Sequence, residues 1–238
     1  VSTYVYGITR DSHPPLPEET VGVGDPPRPV RVVAAGPLAA LVSDAPPDLK
    51  PKRRELLAHQ NVLAEASSAG PVLPMRFGGV SPDDDAVTTA LAAHEEHYLE
   101  RLRALDGKAE YNVKATHDEE AVLHRVLTDA PGLRELHEAN KAAGGGSHED
   151  RLRLGELVAT AVQQREPQDA ALLRQALEDA AEDTCPGPPS GGWLANISFL
   201  VDREHGEEFV AAVAALRREN PHLVLRVNGP LPPYSFVE

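Results

Sequence analysis

Few residues of this 238-residue chain have the types and spacing to carry chemistry, and each has a structural reading beside it. His94-Glu95-Glu96-His97 sets two imidazoles and two carboxylates in four positions, all metal-ligating types. The histidines are three apart, where a zinc-protease helix spaces them by four, so they meet different neighbours. His94 falls on an apolar stripe and His97 off it, which suits a packed and a solvated histidine. Cys185, the single cysteine, sits among prolines with no basic cluster to activate it and reads as an inert thiol. Gly22-Val23-Gly24 lacks the third glycine and the following helix of a phosphate cradle. Asp83-Asp84-Asp85 could hold a cation, yet three acids at a helix start are explained by the helix dipole alone. These residues define no catalytic, metal or cofactor site, so none is expected and the chain does not read as an enzyme.

The elements that would position any site are organised around Val72-Leu73-Pro74-Met75-Arg76-Phe77-Gly78-Gly79. Before it, Arg53 to Ser68 predicts an amphipathic helix with Leu56, His59, Leu63 and Ala66 on one stripe, stopped by Gly70-Pro71. After it, Ser81-Pro82-Asp83-Asp84 is a helix start. The apolar stretch between predicts a short strand, at an edge or bulge because of Pro74. Arg76 is its one charge, expected to pack its stem and bring its guanidinium to a carboxylate or carbonyl at a domain boundary.

Composition bounds the rest. A hydrophobic fraction of 41% with 25% charged residues describes an ordinary soluble chain, and with 10 aromatics (4 Phe, 5 Tyr, 1 Trp) its core must be mostly Leu, Val and Ala. Twenty-three basic against 37 acidic residues give a net charge of −14, which argues against nucleic acid as a partner. One cysteine excludes a disulfide framework within the chain. No apolar run approaches the roughly 20 residues that span a bilayer, and no signal peptide is evident, so a cytoplasmic protein without a membrane partner is expected.

In chain order, Thr3 to Ile8 predicts a strand, Asp11 to Pro29 an irregular loop, and Arg31 to Ala35 with Leu38 to Ser43 a hairpin about Gly36-Pro37. Val87, Leu91, His94, Tyr98, Leu102 and Leu105 predict one continuous helix stripe. Ala109, Tyr111, Val113 and Ala115 alternate with polar residues, predicting a strand with one wet face. Helices follow from about Thr116, from Pro131 to Ala143, and from Arg151 to about Asp183, with Pro167 restarting or kinking the last. Gly144-Gly145-Gly146-Ser147 reads as a joint and Cys185 to Gly192 as a loop. Leu194 to Asp202, a helix through Phe209, Val213 and Leu216, and a strand from His222 to Asn228 predict a βαβ unit. The tail 229–238 predicts an extended, polyproline-like segment. Its Tyr234, Phe236 and Val237 are costly to leave in water, so it is expected to dock near the first domain and tie the two halves together. The fold class expected is α+β in two domains. Residues 1–105 form an N-terminal α+β domain. Residues 106–238 form a modified ferredoxin-like domain with a helical hairpin or bundle inserted at about 118–190.

Three stretches carry a resemblance. Tyr4-Val-Tyr-Gly-Ile8, Gly70-Pro-Val-Leu-Pro-Met-Arg-Phe-Gly78, and Asn196-Ile-Ser-Phe-Leu-Val-Asp-Arg203 with Gly229-Pro-Leu-Pro-Pro-Tyr-Ser-Phe236 resemble the GvpF/GvpL family of gas-vesicle proteins. The resemblance implies a two-domain α+β protein without known catalytic activity, acting as a minor structural or assembly protein. The partners it implies are the small hydrophobic shell protein and other gas vesicle accessory proteins. Arg76, Phe77, Tyr234 and Phe236 are the candidate partner or interdomain contacts. The alternatives by class are a ferredoxin-like module binding a small regulatory ligand and, behind it, an enzyme. The glycine break at Gly144 to Gly146 leaves the lengths of the flanking helices open.

Overall fold

Strand β1 (Thr3–Arg10) is buried along nearly its whole length, because helices cover both faces of the sheet it centres. In the computed structural model, which describes residues 1–188 and 191–238, the chain divides into two compact units. The first comprises Val1–Glu110, Leu200–Arg203 and Gly229–Glu238; the second comprises Tyr111–Phe199 and Glu204–Asn228.

In the first unit β1 pairs antiparallel with β3 (Leu38–Asp44), which pairs with β2 (Arg31–Ala35) in the expected hairpin. On its other side β1 takes β4 (Leu73–Pro74) and β5 (Val80–Ser81), both antiparallel. The sheet order is β2-β3-β1-β4, so Pro74 does lie on an edge strand, where its missing N–H interrupts no ladder. The β1–β3 register slips at Tyr6, between Val5 paired with Val42 and Gly7 paired with Leu41. Helix α1 (Arg53–Ala69) buries His59, Val62, Leu63 and Ala66 against Tyr4 and Tyr6 of β1. Leu56, expected on the same stripe, is 38% exposed: the buried stripe runs through its neighbour Glu55 to His59 and turns Leu56 aside.

The stripe expected to run unbroken from Val87 to Leu105 is two helices, α2 (Asp84–Ala93) and α3 (Glu95–Ala104). His94 sits between them at φ −123°, ψ 21°, exposed rather than packed. Glu95 and Glu96 occupy the first turn of α3, where the dipole of a new N-terminus favours them. Val87, Leu91, Leu102 and Leu105 still reach the core.

The second sheet has the order β7-β8-β6-β9. Its strands are β6 (Lys108–His117), β7 (Asp183–Pro186), β8 (Ala195–Asp202) and β9 (Leu223–Leu231). Ala109, Tyr111, Val113 and Ala115 of β6 are buried, as expected, but the opposite face is not wet: Glu110 is buried as well, and Lys108, Asn112 and Lys114 are half-buried. Helices α4 (Glu119–Asp129), α5 (Pro131–Ala142) and α6 (His148–Glu178) stand between β6 and β7, and α7 (Gly206–Glu219) between β8 and β9. The succession is β-α-β-β-α-β with β6 inserted between β8 and β9, the ferredoxin-like arrangement with extra helices in its first crossover.

Three expectations are corrected here. Cys185 lies in β7 rather than in a loop; this four-residue edge strand has a single β-branched residue, Thr184, no aromatic, and an aspartate and a proline that disfavour strands. Residues 189 and 190 of the expected loop lie outside the described residues. Helix α6 runs 31 residues with Pro167 inside it and ends at Glu178 rather than near Asp183. It begins at His148 rather than Arg151, because the side chains of Ser147 and Asp150 form a capping box.

Candidate functional site

The two signature stretches of the first unit meet in one hydrogen-bonded cluster. Tyr4 and Tyr6, two residues apart on β1, share the face that meets α1. The backbone N–H of Gly78 donates to Tyr4 Oη at 3.2 Å, and Tyr4 Oη lies 2.9 Å from His59 Nδ1. His59 Nε2 lies 3.0 Å from the carbonyl oxygen of Met75. A carbonyl only accepts, so Nε2 carries the proton, Nδ1 accepts from Tyr4, and the chain of bonds has one direction. Tyr6 Oη accepts from the N–H of Val23 at 2.8 Å and shares a bond of 2.9 Å with Ser43 Oγ. The imidazole stacks on Tyr6, with centroids 5.6 Å apart, and meets Phe77 edge-on at 5.8 Å.

Burial pushes both phenols above their ordinary range, although the N–H groups of Gly78 and Val23 pull the other way. Burial also holds His59 below its ordinary value, opposed by its bond to the Met75 carbonyl. The cluster is therefore neutral. Beside it, Glu55 accepts from the Gly24 N–H at 2.7 Å and from the Arg54 guanidinium. The first of these, then the second, holds its carboxyl below the usual range. Gly22-Val23-Gly24 is thus a loop tied down by Tyr6 and Glu55.

Chemically this is a fastening. Backbone groups of the 22–24 and 75–78 segments are fixed to side chains of β1 and α1. Gly7 completes it, since a Cβ there would lie 2.9 Å from Leu63 Cδ2, the Leu73 carbonyl oxygen and Val72 Cγ2. The stretch 70–78 follows Tyr4-Val-Tyr-Gly-Ile8 in space as one motif: Gly7 pairs with Pro74, and the Met75 N–H donates to the Tyr6 carbonyl.

Of the candidate contact residues, the structure brings Phe77 and Tyr234 to the same core cluster. Arg76 is exposed, and no carboxylate or carbonyl among the described residues receives its guanidinium. Phe236 is buried, with its carbonyl accepting from Arg101. The N–H and Oγ of Ser235 each donate to the Glu110 carboxylate at 2.8 Å. The tail thus lies on the first unit, but it is not polyproline-like. Strand β9 continues to Leu231, and Tyr234–Phe236 forms a single 3-10 turn. The Tyr4–His59 pairing had only a partial signal in sequence, a histidine on an apolar helix stripe.

The second unit holds another buried polar group. Asp169 of α6 accepts from His117 Nε2 at 2.8 Å and His222 Nε2 at 3.2 Å, with the Arg165 guanidinium 3.1 Å away. These pairs join α6 to the end of β6 and the start of β9. His94 and His97 are both exposed, and no cluster of three or more His, Cys, Asp or Glu among the described residues is placed to hold a metal. Asp83 caps α2 through the Ala86 N–H, and Asp84 takes Thr3 Oγ1 and Arg31. No helix among the described residues is long and apolar enough to cross a membrane.

Comparison with known proteins agrees with this architecture. The family described as gas vesicle synthesis protein GvpL/GvpF matches residues 2–238. Gas vesicle protein F of Streptomyces sp. (strain CB03234) is 69% identical over the full length of both chains. Gas vesicle protein L of the same strain is 29% identical, covering 98% of this chain and 91% of that one. The crystal structure of GvpF from Microcystis aeruginosa superposes with a TM-score of 0.74 at 26% identity, covering 100% of this chain and 99% of the other. That of GvpF from Anabaena sp. PCC7120 gives 0.77 at 25% identity, covering 100% and 98%.

Proposed function

From the premise that the chain belongs to the GvpL/GvpF family of gas vesicle proteins, we propose that it is a non-catalytic assembly factor or minor structural component of the gas vesicle. On this reading it contacts the small hydrophobic shell protein directly, alongside other accessory proteins, in the cytoplasm and on the growing vesicle. One observation carries the reading: full-length identity of 69% to a gas vesicle protein F.

The physical case rests on the needs of the shell. A small, apolar, aggregation-prone protein requires a partner that covers its surface or strand edges until it assembles. A carrier of net charge −14 stays soluble while one localised face does the binding. Purified chain and shell protein, mixed at low and at high salt, are expected to co-elute under both conditions. A strain lacking the chain is expected to lose buoyant vesicles. Absence of co-elution at either salt, with a positive control binding, overturns the direct contact.

A further inference from the structure

We propose that the outer edge of β9, with the groove between it and α7, docks an extended apolar segment bearing an acidic side chain. The occupant rests on the function proposed above: it is a strand of the small shell protein. Strand β9 ends its sheet, so the backbone groups on its outer side have no partner strand among the described residues. The other strands at sheet edges, β2, β4, β5 and β7, have five, two, two and four residues, whereas β9 has nine, with Pro230 next to its end. Edge strands are commonly defended by brevity, proline or charge. Between Leu223 and Asn228 the only charge is Arg226, whose guanidinium is turned over the Trp193 ring at 5.4 Å. That stretch of edge is left undefended.

Beside this edge runs a groove of about 680 Å³ whose apolar lining includes Val213 of α7 and Leu225 of β9. Val210 and Val227, 42% and 39% exposed, also line it and leave branched apolar surface in water. Arg217, Arg218 and Asp118 line it too; both arginines are exposed with no ion pair among the described residues, and the Asp118 carboxylate caps α4 through the Ala121 N–H. The dipole at the end of α7 accounts for two cations there, but not for apolar surface and an open strand edge beside them. In a chain of net charge −14, two unpaired arginines select a segment with an acid at the matching position. Strand addition would supply backbone bonds along the edge, the groove would take alternate apolar side chains, and the arginines would set the register.

The test uses the full chain, immobilised, and purified shell protein as probe. Val227→Lys defends the edge, and Arg217→Glu with Arg218→Glu reverses the rim. Val32→Lys, on the exposed face of β2, is the control. Both groove variants are expected to melt like the parent and to capture at least tenfold less shell protein, with the control unchanged. Backbone amides between Leu223 and Asn228 are expected to gain protection from hydrogen exchange in the complex. If Val227→Lys perturbs folding, the arginine pair decides. Parental capture by both groove variants overturns the docking site and leaves the proposed function standing. No capture by the parent overturns the proposed function, and the docking site with it. A parent that sediments as a dimer, made monomeric by Val227→Lys with capture intact, gives the edge to a second copy and overturns the proposal.

Discussion

Tyr4 Oη and His59 Nδ1 lie 2.9 Å apart, and the bond joins the central strand of the first unit to its main helix. His59 is 3% exposed, so its acceptor nitrogen has no water to turn to. Tyr4→Phe keeps the ring and removes only the hydroxyl, leaving the buried Nδ1 without its donor and the more exposed Gly78 N–H to turn to water. A loss of about 1–3 kcal/mol is expected for one orphaned buried group. Urea midpoints measure it, with the half-buried Tyr98→Phe as a control expected to change little.

The same histidine gives stability a pH dependence with a definite sign. Its folded value is held below the ordinary 6.5, so the unfolded chain binds more protons between the two values. Stability then rises with pH across that window, is full above 6.5, and is lost as pH falls toward the folded value. Glu55 and Asp84 are also depressed, but from 4.5 and 3.8, so their losses come at lower pH. Denaturation midpoints taken between about pH 5 and pH 7.5 are expected to fall on acidification. His59→Gln is expected to flatten that slope relative to the parent, although its midpoints lie lower throughout.

Gly7 is a packing requirement. A methyl group there meets the Leu63 and Val72 side chains and the Leu73 carbonyl oxygen, all at 2.9 Å, and the carbonyl cannot rotate away. Gly7→Ala is expected to cost about 1–3 kcal/mol, the range for overpacking a closed core. Thermal unfolding reads it directly. A melting temperature equal to the parent's would show that β1 and β4 separate at little cost.

Arg76 separates binding from stability. Its neighbours Val72 to Pro74 are buried, yet its own head reaches solvent just beyond a strand of two residues. Arg76→Ala is expected to shift stability by no more than about 0.5 kcal/mol, as for other exposed positions. If Arg76 touches the shell protein, the same variant lowers capture in the co-elution assay. Parental capture would remove it from the contact surface.

Legibility in the sequence followed the range of the interaction. The alternation of Ala109, Tyr111, Val113 and Ala115 specified β6, because a half-buried strand writes its two faces into the local pattern. Strand β7 was invisible, since Asp-Thr-Cys-Pro is held by pairing with β8 and not by propensity. The helix stripe across His94 misled for the opposite reason: spacing does not register a change of axis, and the acids that start α3 also suit an exposed helix face. At the candidate site, glycine, tyrosine and histidine could each be read singly. Their mutual bonds depend on Tyr4 and Gly78 meeting across 74 residues, which no local period records.

The C-terminal tail offers the largest single effect. Phe236 is buried, Tyr234 packs on the Tyr4–Tyr6 core, and Ser235 supplies both hydrogen bonds to Glu110, itself 4% exposed. Removing Leu231 to Glu238 uncovers apolar surface worth about 2 kcal/mol per aromatic and strips Glu110 of both donors. The truncated chain is expected to lose at least about 3 kcal/mol, and a lower thermal midpoint would show it. Tyr234 adds a second signature at alkaline pH, because burial, with the Glu110 charge adding, pushes its phenol up to about 12. The folded state then binds more protons than the unfolded between 10.0 and about 12, so stability is full below 10.0 and declines as pH rises through that window. Tyr234→Phe is expected to remove part of that decline while leaving the tail in place. A truncated chain that melts like the parent would show that Phe236 and the Ser235–Glu110 bonds contribute little, and would assign the tail to partner binding if capture is lost with it.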